Sequence, residues 1–253
     1  MTNEVWIGLV PAAGKGLRLN LPYPKELYPI IRNNRYKPVS QFILEQIVHA
    51  GVGHVVIVIN ETKHQLVGYF GNGQRFGCDI SYVVQEYQEG LPRSTSPGLA
   101  DALDAAFHLT RGKTVFFGMP DTIIQPTNVF SLAIPLLDTY DVVMCLFPTL
   151  NPQKFGMIRH DPSGKVCEIV DKPARTDLKT MWGSIIWKSV FTDYLHEKIT
   201  RHRLFDFATI MNQAISDGIR FGGVTIEGGE FIDLGTYEEI MEMDKRLRER
   251  EED

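Results

Sequence analysis

Long apolar runs are missing from this chain. The densest, Val55–Ile59, is strand length, far below the roughly 18–20 residues that cross a bilayer. The opening residues MTNEVWIGLV hold no positive region and no small-residue cleavage pattern, so no signal peptide is expected. Cysteine is scarce. Cys78, Cys145 and Cys167 are odd in number, far apart and without a CxxC pair. That argues against a disulfide framework or a zinc knuckle and predicts three buried free thiols in a reducing cytoplasm. Positive charge is also in deficit, with 26 Lys+Arg against 31 Asp+Glu and a net charge of −5. This balance disfavours a general binder of nucleic acid or anionic membrane. It leaves room for a small phosphorylated ligand held by a local group of cations.

Several familiar motifs are absent too. The dinucleotide fingerprint GxGxxG fails because Leu19 stands where the third glycine belongs, and GxxxxGK[ST] occurs nowhere. His196-Glu197 opens an HExxH string that ends on Thr200, which excludes that zinc site. No GxSxG elbow exists.

What is present is an alternation of apolar runs and helical patterns. Val5–Val10, Val55–Ile59, Ile80–Val84, Thr114–Phe117 and Val142–Phe147 read as buried strands. Val39–Ala50, Thr62–Phe70, Gly98–Leu109 and Val129–Leu137 read as the helices between them. The alternation predicts an α/β fold with a mostly parallel sheet, helices on both faces. After residue 150 the pattern changes. Phe155–His160 and Val166–Asp171 flank the turn Asp161-Pro162-Ser163-Gly164, and Trp182–Trp187 and Phe221–Ile226 read as further strands. Phe205–Asp217 and Tyr237–Arg250 read as helices. A single domain over residues 1–253, with a small antiparallel accessory part in its second half, is the expectation.

The most informative stretch is Pro11 to Leu27, PAAGKGLRLNLPYPKEL, which follows the first strand. Small residues at Ala12, Ala13, Gly14 and Gly16 let backbone approach a ligand and aim amides at phosphate oxygens. Arg18 and Lys25 add two cations. Open α/β sheets bind ligands at such strand ends, so small residues, amides and cations together suit a polyphosphate.

This stretch resembles the signature of the sugar nucleotidyltransferases, the nucleoside-diphosphate-sugar pyrophosphorylases. The resemblance extends through PGLADALDAAF, FFGMPDTII, KFGMIRHDPSGKVCEIVDKP and FIDLGTYEEI, in the family's order. It implies a Rossmann-like fold with a nucleotide-binding half (1–150) and a sugar-phosphate-binding half (151–253). It implies joining a nucleoside triphosphate, UTP or dTTP by preference, to a sugar-1-phosphate with release of pyrophosphate. Arg18, Lys25 and Lys172 would then be the phosphate-handling catalytic cations. Ala12, Ala13, Gly14, Gly16, Gln85 and Gly98 would bind the nucleotide, with the Gln85 amide reading a uracil or thymine edge. Gly156, Asp171 and Gly183 would meet the sugar. Asp121, at the end of the strand TVFFGMPD, and Asp233 would hold Mg²⁺. Homo-oligomers are common among relatives.

The departures are specific. Leu17 replaces the usual Thr before the arginine, and Arg18 and Lys25 are seven apart, closer than in typical glucose-1-phosphate enzymes. Asp171-Lys172-Pro173 replaces Glu-Lys-Pro, and Trp182 stands where a Thr usually precedes the sugar-pocket glycine. The short spacing also fits a cytidylyltransferase for a polyol or other non-sugar phosphate. A non-catalytic nucleotide-sugar binding module is the third reading.

Overall fold

The computed structural model describes residues 5–16, 19, 21–32, 35–86, 98–241 and 243. The first half contains β1 (Trp6–Pro11), β2 (Pro29–Arg32), β3 (Arg35–Pro38), α1 (Val39–His49), β4 (His54–Ile59), α2 (His64–Phe70) and β5 (Asp79–Val84). Then come α3 (Leu99–Ala105), α4 (Phe107–Thr110), β6 (Thr114–Gly118), β7 (Thr122–Gln125), α5 (Val129–Ala133) and β8 (Val142–Pro148). The rest is β9 (Gly156–His160), β10 (Val166–Asp171), β11 (Thr180–Trp187), α6 (Ser189–Thr200), α7 (Phe207–Ser216), β12 (Phe221–Thr225) and β13 (Glu230–Asp233).

The main sheet is mixed. Strands β6, β1, β4 and β5 are parallel neighbours. Beside β6 lies β11, antiparallel to it, and beyond β11 comes β8 with β12 parallel at the edge. The β9–β10 hairpin joins the N-terminal end of β11 through Met181 opposite Met157. Each strand alternates its side chains between two faces. Ile7, Leu9, Val56, Val58, Val115, Phe117, Val142 and Met144 pack under α3, α6 and α7. Val10, Val55, Ile57, Phe116, Val143 and Cys145 pack under α1, α2 and α5; Cys78 is buried as expected, but Cys167 lies on the solvent side of β10 and is exposed.

The strand expected at Val142–Phe147 forms as β8, but β11 separates it from the four parallel strands. Local pattern specifies a strand and not its neighbour. The helix expected over Gly98–Leu109 breaks at Ala106 into α3 and α4. The helix expected over Val129–Leu137 tightens after Ala133 into a 3₁₀ turn, Ile134–Asp138. Pro135 there has no N–H to continue the α-helical ladder. Part of the helix expected over Tyr237–Arg250 lies outside the described residues; 237–241 are helical.

At the far edge of the sheet Asp141 fixes where β8 and β12 begin. Its carboxylate receives Arg220 Nε at 3.0 Å and Nη2 at 2.8 Å, and Lys188 lies 3.8 Å away. The Arg220 hydrogen bonds hold the Asp141 carboxyl below the ordinary aspartate range. A depressed folded value means the stabilisation is complete above about pH 4 and is lost as pH falls through the folded value. Asp141→Asn should therefore flatten the acid limb of stability. Urea unfolding of both proteins between about pH 5 and about pH 2 checks this; parallel acid limbs would contradict it.

Candidate active site

The loop after β1 is held from behind. Ala12 N donates to Val58 O at 2.7 Å, which extends the β1–β4 pairing by one residue. Ala12 and Ala13 are buried, while Gly14 and Lys15 are exposed. Gly16 has φ +64°, a left-handed conformation that favours glycine. A Cβ built there would lie 3.8 Å from the Lys25 side chain, so the two arms of the loop meet. Lys25 opens a short 3₁₀ turn, Lys25–Leu27, ahead of β2.

Asp121 was expected to end a strand. The strand instead stops at Gly118 and Asp121 lies in the link to β7. Pro120 explains the stop, because it has no N–H for the ladder. Thr122 Oγ1 donates to Met119 O at 3.0 Å and closes the turn. The antiparallel β7–β13 pair then sets Thr122 opposite Asp233, and Leu234 N donates to Asp121 O at 2.9 Å. Two carboxylates 112 residues apart in sequence, counted from their numbers, are thereby brought to one end of one ladder.

Lys25 Nζ pairs with Asp121 Oδ2. Burial alone would push the Lys25 ammonium down. Asp121, with Glu26 and Asp233 behind it, outweighs that and holds it above the ordinary lysine value. Lys25, Asp121 and Asp233, but not Glu26, border a cavity of about 460 Å³. They line it together with Gly98, Gly156, Asp171 and Lys172. It opens beyond the end of β6, where Met119 and Asp121 line it, a strand end of the kind open α/β sheets use for ligands; Ala12, Ala13, Gly14 and Gly16 are not among its lining residues.

The far wall is mostly apolar: Met181, Trp182, Phe205, Phe207 and Met211. Asp206 stands among them, but its carboxylate caps α7, accepting from Thr209 N at 2.7 Å and Oγ1 at 2.6 Å. Gly156 permits a close approach, since a Cβ there would fall 2.3 Å from Trp182 Nε1. Lys172 has φ +44°, one of two described non-glycine residues with positive φ. Such a conformation costs about 1–3 kcal/mol and is typical of functional sites. No side-chain partner of Asp171 or Lys172 lies among the described residues.

Other predicted residues lie elsewhere. Gly183 does not line this cavity. It is buried in β11, and a Cβ there would meet Phe147 and Phe231 at 2.7 Å, so its smallness serves ring packing. Gln85 follows β5, is nearly buried, and its backbone N donates to Ile59 O at 2.8 Å. It stands three strands from β6 along the sheet, apart from the cavity. Arg18 lies outside the described residues, as does the stretch 87–97.

Three features escaped the sequence reading. One is the β7–β13 pair. Another is Lys154, which lines the cavity and donates to Glu239 Oε1 at 2.7 Å. The third is the ion pair of Lys63 with Glu26, N···O 2.6 Å, with both side chains buried. Burial is the main reason the Lys63 ammonium falls below, and the Glu26 carboxyl rises above, their ordinary ranges.

Residues 7–250 match the model of the nucleotidyl transferase family, and the chain belongs to that family. The low-salt glycan biosynthesis nucleotidyltransferase of Haloferax volcanii is 24% identical over 96% of this chain and 68% of that one. A glucose-1-phosphate thymidylyltransferase of Streptomyces griseus is 27% identical, covering 96% and 66%. The chain thus spans about two thirds of the length of these relatives. A crystal structure of UDP-glucose pyrophosphorylase complexed with UDP-glucose shares the fold, with TM-score 0.77 at 21% identity over 97% of this chain and 99% of that one. The class so defined is that of sugar-1-phosphate nucleotidylyltransferases, which form an NDP-sugar from a nucleoside triphosphate and a sugar-1-phosphate. No helix of the described residues is long and apolar enough to cross a membrane.

Proposed function

We propose that this chain transfers a nucleotidyl group from UTP or dTTP to a sugar-1-phosphate in the cavity described above. The observation that carries the reading is the convergence of Lys25, Asp121, Asp233, Asp171 and Lys172 on one cavity beyond the end of β6. The order of the sheet supports it as well. The loop that carries Lys25 suits the triphosphate, and the β9–β11 end, with Asp171, Lys172 and Trp182, suits the acceptor.

An oxygen of the acceptor phosphate attacks the α-phosphorus. A new P–O bond forms, the Pα–O bond to the β-phosphate breaks, and its electron pair leaves with pyrophosphate. No proton need move, because a phosphate monoester with a second pKa near ~6 is already largely ionised at neutral pH. The protein's work is to hold two anions together. Lys25 faces the triphosphate and Lys172 the acceptor phosphate, while Arg18 contributes the guanidinium that grips pyrophosphate oxygens. Asp171 accepts from an acceptor hydroxyl. Charge stabilisation and alignment of this kind each supply several kcal/mol.

Asp121 and Asp233 fit Mg²⁺. Two carboxylates, with phosphates and water completing the oxygen set, is the arrangement that ion favours. No group of three or more metal-ligating side chains occurs among the described residues. When bound the ion would neutralise phosphate charge and act as a Lewis acid.

A second reading is favoured by the apolar wall at Trp182, Phe205, Phe207 and Met211: an acceptor with few hydroxyls, such as a polyol or choline phosphate taken with CTP. Pyrophosphate release should be measured for each nucleoside triphosphate against a panel of acceptors, with Mg²⁺ and with chelator. Chelator-sensitive release with one sugar-1-phosphate is expected. Release only with CTP and a non-sugar phosphate would replace this reading by the second, and silence alongside tight nucleotide binding would point to a binding module.

Trp182 should govern acceptor choice. Trp182→Thr removes the indole over Gly156 and enlarges the acceptor end. The ratio of kcat/KM values between a bulky and a small acceptor should rise about tenfold or more, the scale on which a pocket discriminates by size. An unchanged ratio would place the acceptor elsewhere.

A further inference from the structure

Behind the loop, outside the cavity lining, Asn60 and Lys63 follow β4. They are only 3% and 4% exposed. Lys63 Nζ donates to Ala12 O at 2.6 Å and to Glu26 Oε1 at 2.6 Å. Asn60 Nδ2 donates to Ala13 O at 2.8 Å. The Asn60 amide cannot turn freely, because its Oδ1 accepts from Thr62 N at 3.0 Å and Thr62 Oγ1 at 2.8 Å. Glu26 is anchored a second time, its main-chain oxygen receiving Ser40 Oγ at 2.6 Å.

Peptide geometry makes this arrangement directional. In a trans peptide plane the C=O of one residue and the N–H of the next point opposite ways, and the one cis bond in the described chain is Gln125–Pro126. Drawing the Ala12 and Ala13 carbonyls toward residues 60–63 therefore turns the N–H groups of Ala13 and Gly14 away from them. Gly14 is exposed there, and among the described residues, its chain neighbours aside, nothing lies within 4 Å of where a Cβ would stand. The same Lys63 ammonium reaches the other arm through Glu26, the residue next to Lys25. One buried cation thus ties together the amide arm and the lysine arm of the loop.

We propose that Lys63 and Asn60 are positioning residues for polyphosphate. They aim the exposed Gly14 amide toward the ligand and, through Glu26, set its separation from Lys25. The inference rests on the reading of this loop as the triphosphate site.

The test uses inorganic pyrophosphate as the binding probe on the full chain, beside steady-state kinetics and thermal unfolding. Asn60→Leu removes the donor to Ala13 without altering charge. It should weaken pyrophosphate binding and raise the nucleotide KM by about tenfold, the scale of one hydrogen-bonded contact, while the acceptor KM stays within about twofold. Lys63→Met should weaken pyrophosphate more than Asn60→Leu does. If it fails to fold, Asn60→Leu still decides. A folded Asn60→Leu protein with unchanged pyrophosphate affinity and nucleotide KM would overturn the proposal. So would equal changes in both KM values, which mark a merely structural role. Wild-type protein that binds pyrophosphate but transfers nothing would refute the proposed reaction and leave the binding comparison to judge this inference. Wild-type protein that binds no pyrophosphate would refute both.

Discussion

Asp121→Asn should lower kcat by about a hundredfold or more, the scale seen when one element of a preorganised electrostatic site is removed. The fold should stay intact. Asn has the same shape, and the hydrogen bond from Leu234 N goes to the main-chain oxygen of residue 121. The chemistry loses twice. One of two candidate Mg²⁺ ligands loses its charge, and Lys25 loses the partner that most strongly raises its pKa. Burial then dominates and moves the Lys25 ammonium downward. The variant's remaining activity, which needs Lys25 charged, should fall off at a lower alkaline pH than that of the wild type. Rate–pH profiles of both proteins, with thermal unfolding as the control, check both effects. A folded variant of near-normal kcat would remove Asp121 from the reaction.

Glu26→Ala should be the most destabilising single change near the site, at about 3–5 kcal/mol, because it strands a buried charge. Glu26 is fully buried, and Lys63 is its close partner. The pair itself is not a large source of stability, since both ions have left water and Glu26 Oε2 has no hydrogen-bond partner among the described residues. Removing both charges together should therefore cost less than the sum of the single losses. Urea unfolding of Glu26→Ala, Lys63→Met and the double variant measures that difference. Strict additivity would mean that the two side chains do not interact.

The sequence made the parallel strands β1, β4 and β6 legible because they are nearly all apolar and bounded by helical patterns, whereas β8, just as apolar, was legible as a strand but not as one set beyond β11. The β9–β10 hairpin was equally legible, because Asp161-Pro162-Ser163-Gly164 announces its turn. The β2–β3 hairpin and α6 went unread. Ile30 and Ile31 form only a short apolar pair, and Phe191, Leu195 and Ile199 carry the helical spacing of α6 among polar residues. Asp121 and Asp233 were legible as candidates by motif, but what joins them is the β7–β13 ladder, a pairing of strands 108 positions apart from start to start by their numbering. Lys63 illustrates a different limit. In sequence it is a lysine in a polar turn, Asn60-Glu61-Thr62-Lys63, indistinguishable from a solvated one. Only the fold places it under Glu26 and Ala12. Gly183 shows the converse, since a motif marks it while its surroundings give it a packing role.

In the proposed reaction an acceptor phosphate attacks the α-phosphorus of a nucleoside triphosphate at this site. The most direct measurement is product analysis by mass spectrometry with an acceptor labelled in its phosphate oxygens by a heavy oxygen isotope. All label should be retained in the NDP-sugar, and the released pyrophosphate should be unlabelled. Nucleoside monophosphate formed without a joined product, or label appearing in pyrophosphate, would contradict it.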